Sequence, residues 1–267
     1  MKTYTVKGIM VLALAASLLW IIGLGWIVND QFFKKTEALE LIEAVNETIQ
    51  HAENLKIIAL GDSLTRGTGD VSGEGYIGYV MDDLKEKTDE EIHLSNVSIK
   101  GQTSKQLIDQ LQEPEIQRQL KQASIIVMTI GGNDLFQSGQ ALGNFSVEQI
   151  DEARTAYLKN LQSIFTKVRE LNEEAAVFHI GLYNPFNDLT DASETSKIVR
   201  EWNFDSAETA AKYKNIVFVP TFDLFQLHVN NYLYSDKFHP NSEGYQLIGE
   251  RLAALITFSE GEDTNEE

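Results

Sequence analysis

Short apolar runs alternate with segments of helical periodicity along the chain after residue 54, and this alternation restricts the fold more than any other feature. The runs hold four to six residues, are rich in Ile and Val and contain no charge, as strands covered on both faces do. Strand followed by helix, repeated, predicts an α/β domain with a parallel sheet. We predict five strands, at Ile57 to Leu60, Ile92 to Val97, Ile125 to Ile130, Val177 to Ile180 and Ile216 to Val219.

Two of the intervening helices are marked clearly by their residue pattern. Ser146 and Gln149 form a capping box at the start of a long apolar stripe that runs from Ile150 to Leu171. A second stripe, from Tyr245 to Leu255, predicts the last helix. Because the chain shows no internal repeat and no Pro- or Ser-rich linker, we predict one domain over residues 55–258.

The composition excludes several classes of function. The chain has 267 residues, with 22 Lys and Arg against 40 Asp and Glu, and its formal net charge of −18 argues against nucleic-acid binding. It has no cysteine, so disulfides, thiolate nucleophiles and Cys-ligated metals are excluded. None of its five histidines forms a His-x-x-x-His pair, and we predict neither a metal nor a cofactor.

An uncharged apolar segment, Gly8 to Val28, begins close to the first residue of the sequence. As a helix rising about 1.5 Å per residue, it would cover about 30 Å and cross a bilayer once. Lys2 and Lys7 precede it, and this charge bias predicts cytoplasmic residues 1–7, a signal anchor at 8–28 and a catalytic domain outside the cell membrane.

A cleaved secretory signal is the alternative to an anchor, because Gly23-Leu24-Gly25 is a small-x-small triplet, and cleavage would release a secreted protein. The apolar run continues past that triplet, which favours the uncleaved anchor. Beyond it we predict a stalk helix over 29–54 and, at the other end of the domain, a frayed acidic tail over 259–267. The stalk carries its apolar stripe at Leu39, Ile42, Val45 and Ile49.

Polar motifs follow several of the predicted strands or stand near the last helix. In an open parallel sheet, ligands bind beyond the carboxyl ends of the strands, so these motifs are where chemistry is expected. They are Gly61-Asp62-Ser63-Leu64, Lys100-Gly101-Gln102-Thr103-Ser104, Gly131-Gly132-Asn133-Asp134 and Asp236-Lys237-Phe238-His239-Pro240.

These motifs contain the parts of a serine nucleophile site. Ser63 follows a glycine-bearing turn between strand and helix, where we expect an exposed hydroxyl and helix N-terminal N–H groups that converge on a developing negative charge. A serine hydroxyl needs a base, and His239 is the best candidate because Asp236, three residues earlier, can hold its ring. The backbone N–H groups of Ser63 and Gly101 and the side-chain amide of Asn133 can supply an oxyanion hole.

The four motifs, in this order between residues 61 and 240, resemble the conserved blocks of the SGNH (GDSL-type) esterase and lipase superfamily. They look most like those of its bacterial lysophospholipase L1-like members, which are membrane-anchored or secreted. The resemblance covers about Leu55 to Leu255. It implies a three-layer α/β/α sandwich with a five-stranded parallel sheet, SGNH- or flavodoxin-like. It also implies catalytic Ser63, Asp236 and His239, and oxyanion donors Ser63, Gly101 and Asn133.

Several residues in or near the motifs and strands are expected to have structural roles or to line the pocket. Asp134 is expected to cap the next helix or to brace the Asn133 loop, without a catalytic role. His179, inside a strand, is expected to be a core histidine. The segment Tyr183 to Phe186 is placed to line the pocket or to end its strand in a turn. The loops after Gly67, Phe136 and Phe186 are expected to shape an acyl pocket.

The function predicted from these observations is hydrolysis of carboxylic esters through an acyl-enzyme on Ser63. Lysophospholipids, other lipid esters and O-acetylated wall polymers are the candidate substrates, and the membrane is a partner through the N-terminal helix. The alternatives are an acyltransferase with the same triad and a non-catalytic surface module that binds lipid or polysaccharide. The oligomeric state is left open.

Overall fold

A computed structural model of the protein describes residues 8, 10, 12–24, 46, 54–136, 147–187 and 192–258. Residues 1–41 and 42–267 form separate units. In the first unit, residues 12–24 are helical. Within the part of the chain that is described, no helix combines the length and the apolar character needed to cross a membrane. The predicted anchor, 8–28, lies partly outside the described residues.

The predicted stalk and tail lie almost entirely outside the described residues. Within 29–54 only Asn46 and Asn54 are described. Asn46 is buried, and its Oδ1 accepts a hydrogen bond from the backbone N–H of Thr257 at 3.1 Å. The tail, 259–267, has no described residue. The boundaries of both segments therefore stay predictions.

The second unit is built on a five-stranded parallel sheet, as predicted. The chain starts in the interior strand β1, moves to the edge strand β2 and then crosses back to β3 on the other side of β1. This reversal makes the junction of β1 and β3 the switch point of the sheet, where α/β proteins bind ligands. The strands, in the spatial order β2-β1-β3-β4-β5, are β1 (Leu55–Gly61), β2 (Ile92–Asn96), β3 (Ile125–Thr129), β4 (Ala176–Ile180) and β5 (Ile216–Val219).

Helices cover both faces of the sheet and give the predicted three layers. On one face α1 packs against α8; on the other, α2, α3, α4 and α6 all pack against the long helix α5. Ser146, in the predicted capping box of α5, lies outside the described residues. The helices are α1 (Gly75–Lys87), α2 (Ser104–Gln110), α3 (Pro114–Leu120), α4 (Gly132–Phe136), α5 (Val147–Leu171), α6 (Ala192–Ala210), α7 (Phe222–Gln226) and α8 (Ser242–Ala253), with a 3₁₀ turn at Val229–Asn231.

The strand residues alternate between the two helical layers, because successive side chains of a strand point to opposite faces. Ile58 and Leu60 of β1 join the apolar cluster that includes Leu161 of α5. Ile57 and Ala59, which are equally buried, point to the α1 and α8 side. Burial on both faces explains why β1 reads as a continuous apolar run rather than an alternating one.

The end of β1 depends on the absence of a side chain at Gly61. Its φ is 113°, and a Cβ there would lie 1.8 Å from the backbone oxygen of Thr129 at the end of β3. That same oxygen accepts a hydrogen bond from the N–H of Asp62 at 3.1 Å. The two strand ends that carry the polar motifs are therefore held in direct backbone contact.

We expect Gly61→Ala to destabilise the fold far more than a glycine substitution that only strains the backbone. Gly73, at φ 75° with no heavy atom near the position of a Cβ, is the matched control. Gly73→Ala should lower the free energy of unfolding by about 1–3 kcal/mol. Gly61→Ala should lower it by more than about 4 kcal/mol or prevent folding. Urea denaturation of both purified variants measures this, and equal losses would contradict the close approach.

Candidate active site

The described polar motifs meet at the carboxyl edge of the sheet, around the switch point between β1 and β3. Ser63 follows β1, Gly101 lies in the loop after β2, and Asn133 stands in the short helix α4 after β3. Asp236 and His239 belong to the segment between the 3₁₀ turn and α8. The structure thus brings all five predicted site residues to one edge of the sheet.

Ser63, His239 and Asp236 form a continuous hydrogen-bonded chain. The distance from His239 Nε2 to Ser63 Oγ is 2.8 Å, and that from His239 Nδ1 to Asp236 Oδ2 is 2.6 Å. The serine is buried, the histidine side chain is 13% exposed and the aspartate side chain is 38% exposed. With the carboxylate holding Nδ1–H, the other ring nitrogen faces the serine hydroxyl as a proton acceptor.

The position of His239 follows from a compact turn around Asp236. The second carboxyl oxygen of Asp236 accepts the backbone N–H groups of Phe238 and His239, each at 3.0 Å. Lys237 completes the turn in the left-handed region, at φ 58°. Partial burial raises the pKa of Asp236, but hydrogen bonds from His239 and Phe238 outweigh it and leave the pKa below its ordinary value. Asp236 is therefore ionised at neutral pH.

The segment after Ser63 differs from the expected helix. Residues 62–69 form hydrogen-bonded turns, with Thr68 N donating to Ser63 O at 3.0 Å, and α1 begins only at Gly75. The expectation of a helix N-terminus at Ser63 is therefore wrong. Its physical reason is Gly67, whose φ of 81° breaks the helical path and whose α-carbon packs against the backbone of Gly75.

Hydrogen bonds also connect the segment after Ser63 to the start of α8, close to His239. Ser242 Oγ donates to Asp70 Oδ1 at 2.5 Å and accepts from Val71 N at 3.3 Å. Tyr245 OH donates to the backbone oxygen of Thr68 at 2.7 Å. The separation of Ser63 from the histidine segment is thus fixed by neighbouring groups as well as by their own hydrogen bond.

Asp62 begins a buried polar network that no sequence motif predicts. Its Oδ1 accepts from Leu64 N at 3.0 Å and from Thr129 Oγ1 at 2.8 Å. Thr65 Oγ1 lies 2.7 Å from both Thr129 Oγ1 and Tyr76 OH, which continues the network to α1. Burial raises the pKa of Asp62 to about 6, although the hydrogen bonds from Thr129 and Leu64 oppose the shift.

The predicted oxyanion donors Gly101 and Asn133 lie on adjoining loops. Gly101, at φ 77°, occupies the third position of a turn in which Gln102 N donates to Ile99 O at 3.0 Å, as in a type II turn. Asn133 Nδ2 donates to the backbone oxygen of Gln102 at 3.0 Å. Asn133 and Ser63 line the same cavity.

That cavity is a small, mainly apolar pocket that lies beside Ser63 and opens to solvent. Phe136 and Phe238 stand edge to face in its wall, with ring centroids 5.9 Å apart. Tyr183 and Pro185 also line it, and a turn begins at Pro185, so both alternatives predicted for the segment Tyr183 to Phe186 hold in part. The remaining lining residues are Asp62, Leu64, Gly132, Asn133 and Leu182.

His179 lies away from this pocket, buried in β4 as expected. Its Nε2 is 3.1 Å from Tyr157 OH, and burial lowers its pKa to about 4, so it is neutral at neutral pH. Among the described residues, no group of three His, Asp or Glu side chains has an arrangement that could hold a metal ion.

Comparisons with known proteins identify the family of the chain. Residues 59–247 match the model of the GDSL-like Lipase/Acylhydrolase family. The spore germination lipase LipC of Bacillus licheniformis is 32% identical over 208 residues, which cover 75% of this chain and 95% of LipC. YpmR of Bacillus subtilis, an uncharacterized protein, is 36% identical over 209 residues, covering 76% of this chain and 82% of YpmR.

Solved structures show the same fold. The lipase Lip_vut3 from a goat rumen metagenome superposes with a TM-score of 0.70 at 28% identity, over 77% of this chain and 99% of that chain. Axe2, an acetylxylan esterase from Geobacillus stearothermophilus, has a TM-score of 0.60 at 21% identity, over 79% of this chain and 97% of its own. The second likeness concerns the fold alone.

We expect Asp62→Asn to remove a pH dependence of stability. Because the pKa of Asp62 is about 6 in the folded state against 3.8 ordinarily, its contribution to stability is greatest below pH 3.8 and is lost as the pH rises through 6. Asparagine keeps an acceptor without the charge. The variant should therefore be more stable at pH 8, by up to about 3 kcal/mol. Urea denaturation between pH 4 and 8 measures this. The prediction is refuted if the free energy of unfolding changes equally with pH in both proteins.

Proposed function

Because the chain belongs to the GDSL-like Lipase/Acylhydrolase family and is a carboxylic-ester hydrolase, we propose that Ser63 is its nucleophile. In this proposal His239 is the general base, and Asp236 orients the histidine. The observation that carries this proposal is the hydrogen-bonded chain from Ser63 Oγ through His239 to Asp236, with distances of 2.8 and 2.6 Å. Nucleophile, base and orienting group stand in the order that acyl transfer requires.

In the first half of the proposed reaction, Ser63 Oγ attacks the carbonyl carbon of the ester while His239 Nε2 takes the hydroxyl proton. The tetrahedral intermediate collapses as the imidazolium returns that proton to the leaving alcohol, and the acyl group stays on Ser63. In the second half, water attacks the acyl-enzyme with His239 as base, and the carboxylic acid is released. Asp236, ionised at neutral pH, stabilises the imidazolium in both halves.

We propose that the backbone N–H groups of Ser63 and Gly101 and the Asn133 amide bind the oxyanion. The hydrogen bond from Asn133 to Gln102 O, one residue after Gly101, supports this assignment, because it couples the two outlying donors. Donors held in place before the reaction stabilise the developing charge without reorganisation.

The substrate we propose is an ester of a lipid, with the acyl chain in the pocket that Phe136 and Phe238 line. The support is the apolar wall of that pocket directly beside Ser63, since apolar walls favour a hydrocarbon chain over a sugar or water. The similarity to LipC, which is named a spore germination lipase, also supports a lipid ester. An ester of an O-acetylated wall polymer is the competing substrate class.

We further propose that residues 8–28 anchor the protein in the cell membrane with the catalytic domain outside. The uncharged run and the preceding Lys2 and Lys7 support this placement. An anchor would keep the pocket close to the outer leaflet, where lipid esters are abundant. Cell fractionation and accessibility of the domain to an external protease test the location.

We expect Ser63→Ala to lower kcat by more than about 10³-fold with the fold intact. Ser163→Ala, which removes an exposed hydroxyl on α5, should leave kcat unchanged. Hydrolysis of p-nitrophenyl esters and labelling by a fluorophosphonate measure both effects, with circular dichroism to check folding. Undiminished turnover in the Ser63 variant would exclude the proposed nucleophile. Transfer of the acyl group to an added alcohol in preference to water would indicate an acyltransferase instead.

We expect Phe136→Leu to shift the chain-length preference, because Phe136 lines the pocket. The ratio of kcat/KM for octanoyl to acetyl p-nitrophenyl esters should rise by about tenfold. Phe165→Leu, an equally conservative change at a buried phenylalanine of α5 outside the pocket, is the control and should leave the ratio unchanged. Equal ratios in both variants would place the acyl chain elsewhere.

A further inference from the structure

The carboxylate of Asp134 accepts hydrogen bonds from a segment other than the one that carries Asp134. Its carboxylate accepts the backbone N–H of Ser104 at 2.9 Å and the hydroxyl of Ser104 at 2.5 Å. Asp134 directly follows Asn133, whereas Ser104 is the first residue of α2 and lies three positions after Gly101. The contact therefore links the two segments that carry the outlying oxyanion donors.

The direction of these hydrogen bonds is fixed by a third residue. Asn160, on α5, donates from Nδ2 to Ser104 Oγ at 2.9 Å. Since the Ser104 hydroxyl carries a single proton, it accepts from Asn160 and donates to Asp134. Burial raises the pKa of Asp134, while its bonds from Ser104 oppose that shift. The series Asn160, Ser104, Asp134 thus joins α5, α2 and α4.

A second connection runs through Gln102. Its backbone oxygen accepts from Asn133, and its buried side chain donates from Nε2 to Gln110 Oε1 at 2.9 Å. Gln110 in turn donates to the backbone oxygen of Val97 at 2.7 Å. The loop from Val97 to Ser104 is therefore bound by Gln110 at its start and by Asp134 of α4 at its end.

We propose that Asp134 is a positioning residue of the oxyanion hole, which holds the Gly101 turn and the Asn133 amide at a fixed separation through Ser104. This inference rests on the proposed function, because it assumes that Gly101 and Asn133 are oxyanion donors. A role as cap of its own helix does not explain the contacts, which go to a residue 30 positions earlier in the chain.

The expected consequence of losing Asp134 is a misplaced donor pair. The N–H of Ser104 is one of the first N–H groups of α2 and has no partner within that helix, so removal of the carboxylate leaves it unpaired. The Gly101 turn is then free to move relative to Asn133. A displacement of about 1 Å in a reacting constellation can cost about 100-fold in rate.

The test measures kcat, KM and the inhibition constant of a trifluoromethyl ketone, whose hemiketal oxyanion occupies the oxyanion hole. In Asp134→Ala we expect kcat to fall about 10- to 100-fold while KM for a p-nitrophenyl ester changes less than about threefold. The inhibition constant should rise by the same factor as kcat falls, because both report oxyanion binding. Asn133→Ala should show the same coupled pattern with a larger amplitude, about 10²- to 10³-fold in kcat.

Two further variants keep the test valid if Asp134→Ala folds poorly. Asp134→Asn retains an acceptor for Ser104 N, and Ser104→Ala removes only the hydroxyl, so both should give intermediate losses with the same coupling. Asn172→Ala is the stability control. It removes hydrogen bonds to Leu120 O and Ala123 O, at 2.8 and 2.9 Å, at the opposite edge of the sheet. It should lower stability without changing kcat or the inhibition constant.

The outcomes separate this inference from the proposed function. If the Asp134 and Ser104 variants lose stability but keep the wild-type kcat and inhibition constant, as Asn172→Ala should, Asp134 is structural and the positioning role is wrong. If Ser63→Ala retains turnover, the proposed function itself fails. Ser63-dependent turnover together with coupled losses in the Asp134 variants supports both.

Discussion

The backbone contact between Gly61 and Thr129 is the constraint on which the site depends. It joins the ends of β1 and β3 where the order of the sheet reverses, so that the next residues of both strands, Asp62 to Ser63 and Gly131 to Asn133, leave from neighbouring points. A side chain at Gly61 would separate the strand ends and, with them, the nucleophile from the Asn133 amide. The geometry of the site thus depends on a backbone contact that takes no part in the reaction.

Two aspartates at this edge have opposite electrostatic environments. Asp62 is buried, and burial raises its pKa to about 6; Asp236 is partly exposed and receives several hydrogen bonds that lower its pKa. Asp236 is therefore the more readily ionised of the two, and it is the one that contacts an imidazole. Separated pKa values in a pair of acids are a common means of assigning different roles to chemically identical groups. Here the separation suits Asp62 to structure and Asp236 to holding His239.

The strands and the motif residues could be predicted because their signals are local. An uncharged apolar run predicts a buried strand wherever it lies, and Ser63, Asn133 and His239 stand in short recognisable motifs. The network that holds them was not predictable in this way. Ser104 meets Asp134 of α4 across 30 positions of the chain, and Tyr76 reaches Asp62 only through two threonines on different elements. Such contacts depend on the three-dimensional packing, for which the sequence has no periodic or spacing signal.

The site is also held together by bonds that no substrate has to form. Ser242 and Tyr245, at the start of α8, bind the segment after Ser63, and they do so within a few residues of His239. Because these bonds exist in the free protein, the 2.8 Å contact of Ser63 with His239 does not rely on substrate to bring the two segments together. A hydrolase gains from such an arrangement because reorganisation of polar groups during the reaction would add to its barrier. The hydrogen bonds around α8 therefore belong to the catalytic design as much as to the stability of the fold.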